Sequence, residues 1–138
     1  MKTFVTALAL AALAAVPGLA FTQGGISGHI VDISSGKMLA GVPLEIYRMP
    51  IRPGDRAIAR LRTNARGFFV KVPLSTGRYM VAALADGKSF GCIVDDVFQN
   101  NVTNFTLGVG SNNTVCTGPR VHAGLVNANI TADLTTIR

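Results

Sequence analysis

The chain has 138 residues, with 13 Lys and Arg against 7 Asp and Glu, 2 His, 2 Cys and no Trp. This length is enough for one domain and too short for two domains of ordinary size. Two cysteines without neighbouring ligands exclude a structural zinc site, and the formal net charge of +6 is only moderately basic.

The first twenty residues have the pattern of an export leader. Lys2 supplies a positive start, residues 5–16 form an apolar run rich in Ala and Leu, and residues 17–20 end in small side chains. We expect cleavage after Ala20, which leaves a net charge of +5 once Lys2 is removed from the +6 of the full chain. The run is shorter than the roughly 20 residues that span a bilayer. The leader therefore predicts a secreted or periplasmic protein without a transmembrane segment in the mature chain.

The two cysteines are Cys92 and Cys116. An even number of cysteines in an oxidising compartment favours one disulfide over two free thiols. The bond closes a loop of about 25 residues, which is worth about 3 kcal/mol in the loop-entropy model.

Residues 62–81 carry the clearest structural pattern, two hydrophobic alternations separated by two glycine turns. The polar turn that ends in Gly67 predicts a hairpin centred on residues 64–67. In the strand that follows, Phe68, Val70 and Val72 share one face, and Pro73 is expected to end the strand because it lacks an N–H donor. We place Phe68 and, in the next strand, Tyr79 in the core.

Alternation and turn residues predict seven strands between residues 26 and 109, including the two just described, and no helix. The predicted strands cover residues 26–32, 42–48, 56–63, 68–72, 78–85, 89–98 and 102–109. In the second strand the core positions are Val42, Leu44 and Ile46, with Glu45 and Tyr47 facing outward. In the last strand the core positions are Thr103, Phe105, Leu107 and Val109. Residues 108–118 are predicted to form a loop that contains Cys116, and residues 127–137 an eighth strand. The fold class is therefore an all-β sandwich of seven or eight strands.

Four motifs in order resemble the carboxypeptidase regulatory-like domains: ISGHIVD at 26–32, GKMLAGVPLEI at 36–46, RTNARGFF at 62–69 and PLSTGRY at 73–79. The resemblance covers about residues 26–109. It implies a Greek-key sandwich of the prealbumin (transthyretin) type and a non-catalytic module of a secreted or surface protein. The predicted organisation is a leader (1–20), this β-sandwich (21–109) and a C-terminal extension (110–138) tied to the sandwich by the disulfide.

Two enzyme families on similar sandwiches were compared with the chain. His29, His122, Tyr47 and Tyr79 match the ligand types of a ferric intradiol dioxygenase, but the two histidines are 93 positions apart. Hydroxyisourate hydrolases share a terminal Tyr-Arg-Gly-Ser, whereas this chain ends in Thr-Thr-Ile-Arg. No serine or cysteine nucleophile with a nearby histidine is recognisable. We expect no cofactor, no metal and no catalysis, with a small enzyme on this sandwich as the alternative.

The arginines are the most informative polar feature, since six of them lie within nineteen residues: Arg48, Arg52, Arg56, Arg60, Arg62 and Arg66. Charges on exposed strands ordinarily discourage edge-to-edge aggregation. The alternative is an anion-binding face for an acidic glycan, a lipid phosphate or an acidic protein. Nucleic acid is not expected, because the chain is exported and no aromatic platform accompanies the arginines. The predicted partner is a protein or an acidic glycan at the cell envelope or outside the cell.

Four Asn-x-Thr sequons are present, at Asn101, Asn104, Asn112 and Asn129. They would accept glycans in a eukaryotic secretory pathway. The leader looks bacterial, and on that reading the sequons are incidental.

Overall fold

The computed structural model describes residues 23–110 and 113–124, so the predicted leader and the predicted strand at 127–137 lie outside the described residues. Among those ranges there are nine β-strands and no helix, hence no helix that is long and apolar enough to span a membrane. The strands are β1 (Gln23–Asp32), β2 (Pro43–Arg48), β3 (Ala59–Arg62), β4 (Phe68–Ser75), β5 (Gly77–Ala85), β6 (Lys88–Val97), β7 (Val102–Val109), β8 (Thr114–Thr117) and β9 (Val121–Gly124).

The strands form two sheets that pack face to face. One sheet has five strands in the order β9-β6-β5-β2-β3, and the other has four in the order β4-β1-β7-β8. All neighbours are antiparallel except β1 and β7, which run parallel from Gly25 opposite Val102 to Asp32 opposite Val109. The predicted all-β sandwich is confirmed, with the short strands β8 and β9 added to the predicted set.

The core lies between the sheets and uses the predicted faces of β2 and β7. Val42, Leu44 and Ile46 are buried, and so are the four alternate residues of β7 from Thr103 to Val109. Ile26 and Ile30 of β1 pack against them. The rings of Phe69 and Phe105 meet edge to face across the core with centroids 5.7 Å apart.

The prediction for residues 64–68 is correct for the turn and wrong for what the turn connects. Gly67 N–H donates to the Asn64 carbonyl at 3.0 Å, and Asn64 N–H donates to the Phe68 carbonyl at 2.9 Å. The turn does not close a hairpin, because β3 and β4 belong to different sheets. The chain crosses between the sheets here, and the crossing places Phe69 in the core, with Phe68 only half-buried and Val70 exposed.

Pro73 does not end its strand, because β4 continues to Ser75. The pairing of β1 with β4 shifts between Gly24 and Ile26, opposite the segment that contains Val72 and Pro73. A bulge of this kind leaves a residue outside the regular ladder, so the missing N–H of proline costs no hydrogen bond.

Gly67 and Gly87 have nearly the same positive φ, 73° and 72°, in different surroundings. A Cβ at Gly87 would meet nothing within 4 Å, whereas a Cβ at Gly67 would lie 3.0 Å from the Leu39 nitrogen and from the Met38 Cβ. We expect Gly87→Ala to cost about 1 kcal/mol of unfolding free energy through backbone strain alone, and Gly67→Ala to cost clearly more. Urea unfolding of both variants measures the difference, and equal losses would refute the crowding at Gly67.

Residues 108–118 are not all loop, because β8 pairs with the end of β7. Within β8, Cys116 lies opposite Leu107 and faces the core, where it forms a disulfide with Cys92 of β6. The two Cα atoms are 5.9 Å apart. The bond therefore joins one sheet to the other, and β9 follows it to complete the five-stranded sheet beside β6.

Glu45 and Tyr47 point away from the core as predicted, but both are buried rather than solvated. The reason is the loop between β2 and β3, whose Met49, Ile51 and Ala57 pack over the outer face of the five-stranded sheet. Beneath this cover the Tyr47 hydroxyl donates to Glu45 Oε1 at 2.5 Å. Arg60 Nε lies 2.6 Å from Glu45 Oε2. The outer face of this sheet thus carries an ion pair in which the carboxylate is buried and the arginine is about half exposed.

Candidate functional site

The outer face of the four-stranded sheet differs from the rest of the surface in having no charged side chain. Its outward positions follow from the registers of β1 with β4, of β1 with β7 and of β7 with β8. We call it the neutral face, and its residues with side chains are Ser27, His29, Val31, Phe68, Val70, Val72, Val102, Asn104, Thr106, Val115 and Thr117. None is Asp, Glu, Lys or Arg, although the chain carries 20 such residues, 13 basic and 7 acidic.

The neutral face also holds most of the exposed large hydrophobic side chains. Among the described residues seven such side chains are exposed, and four of them, Val70, Val72, Val102 and Val115, lie on strands of this face. Two more border it: Ile33 packs against Gly108 of β7, and Met38 pairs with Val31. Only Ile58 lies elsewhere. A patch of apolar side chains without charge is the usual signature of an interaction surface.

Contacts between neighbouring strands order the middle of the neutral face. Asn104 Nδ2 donates to Ser27 Oγ at 2.7 Å, which links two polar side chains within the face. The rings of His29 and Phe68 are 5.1 Å apart on adjacent strands. A Cβ at Gly25 would lie 2.1 Å from a methyl carbon of Val72, so this glycine allows the valine to lie across the sheet. The face thus carries apolar side chains on either side of a pair of hydrogen-bonded polar residues.

A groove of about 550 Å³ lies at the end of the neutral face, beside Val102 and Asn104. On its far side the guanidinium of Arg120 lies 4.5 Å from the ring centroid of Phe98 and 3.4 Å from Asp96. The aromatic ring is therefore covered by the protein's own arginine. Of the predicted sequon asparagines, Asn101 and Asn104 line this groove, while Asn112 and Asn129 lie outside the described residues.

The six predicted arginines do not form one face. Arg48 donates to the Tyr79 hydroxyl and to the Thr76 carbonyl, both at 2.9 Å. Arg60 pairs with buried Glu45. Arg62 donates to the Gly41 carbonyl at 2.9 Å. These three guanidinium groups are thus used in part to hold the fold.

The other three predicted arginines have exposed side chains. Arg52 and Arg56 lie in the loop between β2 and β3, and Arg66 lies in the turn that crosses between the sheets. For Arg52 and Arg66 the recorded bonds are made by the backbone N–H, to Asp55 and to Asn64. An anion-binding role for the arginines stays a prediction, and Arg52, Arg56 and Arg66 are the members whose replacement leaves the described contacts intact.

A pocket of about 330 Å³ contains one of the predicted arginines, Arg48, together with Lys71 of β4. The Tyr79 hydroxyl is at its base and donates to the Ser75 carbonyl at 2.5 Å. Burial raises the pKa of Tyr79, and the nearby Arg48 opposes this only in part. The phenol therefore remains neutral at physiological pH.

The four residues compared with an iron site have separate surroundings. His29 lies on the neutral face, Tyr47 under the loop between β2 and β3, and Tyr79 in the core beside Arg48. His122 Nδ1 of β9 lies 2.9 Å from Asp95 Oδ2, and Arg78 Nη2 lies 3.5 Å from the other carboxylate oxygen, Asp95 Oδ1. The structure does not bring these four residues together, and within residues 23–110 and 113–124 there is no cluster of three or more His, Cys, Asp or Glu suited to a metal.

Comparison with known proteins gives a fold and no sequence family. No protein-family model matches the chain, and no curated protein matches its sequence. Among solved structures, the 5-hydroxyisourate hydrolase of Klebsiella pneumoniae is similar with a TM-score of 0.51 and 22% identity, over 69% of this chain and 97% of that one.

Two further solved structures are similar at lower identity. Sea bream transthyretin, solved with thyroxine, has a TM-score of 0.51 and 15% identity over 74% of this chain and 98% of that one. The (S)-allantoin synthase has a TM-score of 0.56 and 12% identity over 77% of this chain, which spans only 45% of that protein. The chain therefore has a β-sandwich fold of the transthyretin type, and the solved structures that share it include enzymes as well as a protein with bound thyroxine.

Sequence reasoning missed the neutral face and emphasised the arginines. The outward parity of Val102 and Asn104 was visible in the sequence, as was the lack of charge along residues 24–31. What the sequence does not show is that β4, β1, β7 and β8 are neighbours in one sheet. Only that arrangement turns separate uncharged positions into one surface.

Proposed function

We propose that the chain is a non-catalytic, exported β-sandwich module that works by assembly, with a second copy of the same chain docking on the neutral face. The proposal follows the finer resemblance to carboxypeptidase regulatory-like domains, which are usually non-catalytic modules of secreted or surface proteins. Export is supported by the leader pattern and by the disulfide, which persists in oxidising compartments. The single observation that carries the proposal is the charge-free apolar surface formed by β4, β1, β7 and β8.

A second copy is the occupant that the charges favour. Two chains of net positive charge repel each other where their basic surfaces meet. On the neutral face this repulsion is weakest, and valine ridges such as Val70 and Val102 can interdigitate about a two-fold axis. A four-stranded sheet with strands of about eight residues presents roughly 500 Å² in projection. With Ile33 and Met38 at its border, this area is of the order that standard interfaces bury per partner, about 800 Å².

We expect the wild type to form a dimer, and a charged substitution on the neutral face to disrupt it. The mature chain from Phe21 onward should dimerise in sedimentation equilibrium. Val70→Lys or Val102→Lys should raise the dimer dissociation constant by at least about tenfold. The reason is that burying a lysine at the interface lowers the binding free energy by more than about 1.4 kcal/mol. Both valines are about half exposed, so the monomer should keep its fold.

Ile58→Lys is the matched control, because Ile58 is equally exposed but lies outside the neutral face. It should dimerise like the wild type. The proposal is wrong if the wild type is monomeric at millimolar concentration, or if both valine variants associate as the wild type does. Hydrogen exchange that shows residues 125–138 covering the neutral face in a monomer would also overturn it.

A further inference from the structure

We propose that the pocket between Arg48 and Lys71 binds a small organic carboxylate. This site is separate from the neutral face. On β4, Lys71 points to the opposite side from Val70 and Val72. It lies at the edge of the sandwich, where β4 approaches the loop before β3. Whether or not a carboxylate binds in this pocket therefore does not decide whether the chain dimerises through the neutral face.

The charge of the pocket is one-sided. Arg48 and Lys71 line it, and none of the described residues that line it is Asp or Glu. Within the described part of the chain, no carboxylate forms an ion pair with either of these two cations. An anion entering the pocket meets two positive groups, and charge-assisted hydrogen bonds are the stronger class of hydrogen bond.

Arg48 is held in a fixed orientation. Its Nη1 donates to the Tyr79 hydroxyl, its Nη2 donates to the Thr76 carbonyl, and its guanidinium lies 5.5 Å from the centroid of the Tyr79 ring. Gly77 makes room for it, since a Cβ at this position would lie 2.8 Å from Arg48 Nη2. These two bonds use two of the five guanidinium N–H donors. The remaining donors are already oriented, so less side-chain entropy is lost when a ligand binds.

The pocket also has an apolar part to its lining. It comprises Ile58, Pro73 and Leu74, and Ile58 is the one exposed large hydrophobic side chain outside the neutral face and its border among the described residues. Two cations and three apolar side chains in one pocket match a ligand that carries both a carboxylate and a hydrocarbon body. The volume of about 330 Å³ lies at the lower end of the range for small-molecule sites. Inorganic phosphate offers the charge without the apolar body.

The test uses benzoate as the probe and benzamide as its neutral counterpart of the same shape. Titration of the oxidised chain, followed by backbone amide NMR shifts, should show benzoate binding at Ser75 and Gly77 in the millimolar range, with benzamide and inorganic phosphate each at least about tenfold weaker. Lys71→Gln should weaken benzoate binding by about tenfold, since it removes one charge-assisted contact. Lys37→Gln, on the exposed turn after β1, should leave the affinity unchanged.

Arg48→Lys is a second variant, which keeps the positive charge and removes the planar guanidinium group with its several N–H donors. It should bind benzoate more weakly than the wild type while retaining dispersed NMR spectra. The proposal is overturned if benzoate does not bind, if it binds no better than benzamide, if phosphate binds equally well, or if Lys71→Gln binds benzoate as the wild type does. Shift changes that map to the groove beside Phe98 instead would also overturn it.

Discussion

Replacing both cysteines, as Cys92→Ala with Cys116→Ser, is expected to lower the unfolding free energy by about 3 kcal/mol. The bond spans 24 positions and joins β6 of one sheet to β8 of the other. Without it, the unfolded chain gains the freedom of a loop of that length, and the short strand β8 keeps its pairing with β7 and its core contacts. Guanidinium unfolding at equilibrium, compared with the oxidised wild type, measures the loss.

Reduction of the wild type separates the effect of the bond from that of the side chains. Cys92 is fully buried, so its replacement by alanine also leaves a small cavity. The wild type in dithiothreitol should lose most of the same stability, whereas the double variant should not respond to the reductant. A double variant as stable as the oxidised wild type would show that β8 is held by its strand pairing and core contacts alone.

Arg60→Met is expected to lower the unfolding free energy by about 2 to 3 kcal/mol. Glu45 is completely buried, and Arg60 Nε lies 2.6 Å from its Oε2. Removing one partner of a buried pair typically costs about 3 to 5 kcal/mol, because the other charge is left in a poor environment. We expect a smaller value here since the Arg60 side chain is 47% exposed and Tyr47 still donates to Glu45.

Arg56→Met is the matched control, because Arg56 is exposed and close in sequence. Its unfolding free energy should stay within about 0.5 kcal/mol of the wild type. Glu45→Gln combined with Arg60→Met should recover at least about 1 kcal/mol relative to the sum of the single losses, which is the mark of a direct pair in a double-mutant cycle. Additive losses would mean that the contact between Arg60 and Glu45 contributes little.

The parts of the fold that follow from alternation alone were predictable. The strand at residues 102–109 was predicted with its bounds and its core face, because Phe105 and Leu107 alternate with polar residues. The Asp-Gly dipeptide at residues 86 and 87 is a strong signal for a two-residue turn, and both residues have positive φ as the tight turn requires. Local chemistry determines these features.

Errors arose where distant segments decide the outcome. Phe68 and Phe69 are adjacent aromatic residues, and only the crossing between the sheets determines which of them is buried. Glu45 looks like an ordinary outward charge until the loop between β2 and β3 folds over it. The strand β8 is rich in threonine and follows a polar segment, so it shows only a weak hydrophobic alternation. Contacts with distant segments, namely the disulfide and the pairing with β7, stabilise it as a strand.

The site was harder to predict than the fold. The six arginines are close together in sequence, yet the structure distributes them over a pocket, the ion pair with Glu45, a strand edge and two loops. The neutral face has no motif, and each of its residues is unremarkable alone. Because this surface is defined by the absence of charged side chains, it can be recognised only when the order of the strands is known.

The parallel pairing of β1 with β7 has a consequence for the order of assembly. β1 lies between β4 and β7, so the first described strand cannot be flanked on both sides until the chain has emerged as far as residue 109. The β2–β3 and β5–β6 pairs of the opposite sheet, in contrast, join neighbours in sequence. Contacts between distant segments slow folding because the intervening loop must first be closed. We therefore expect the β2–β3 and β5–β6 pairs to form early, and the pairing of β1 with β7, on which the neutral face depends, to form later.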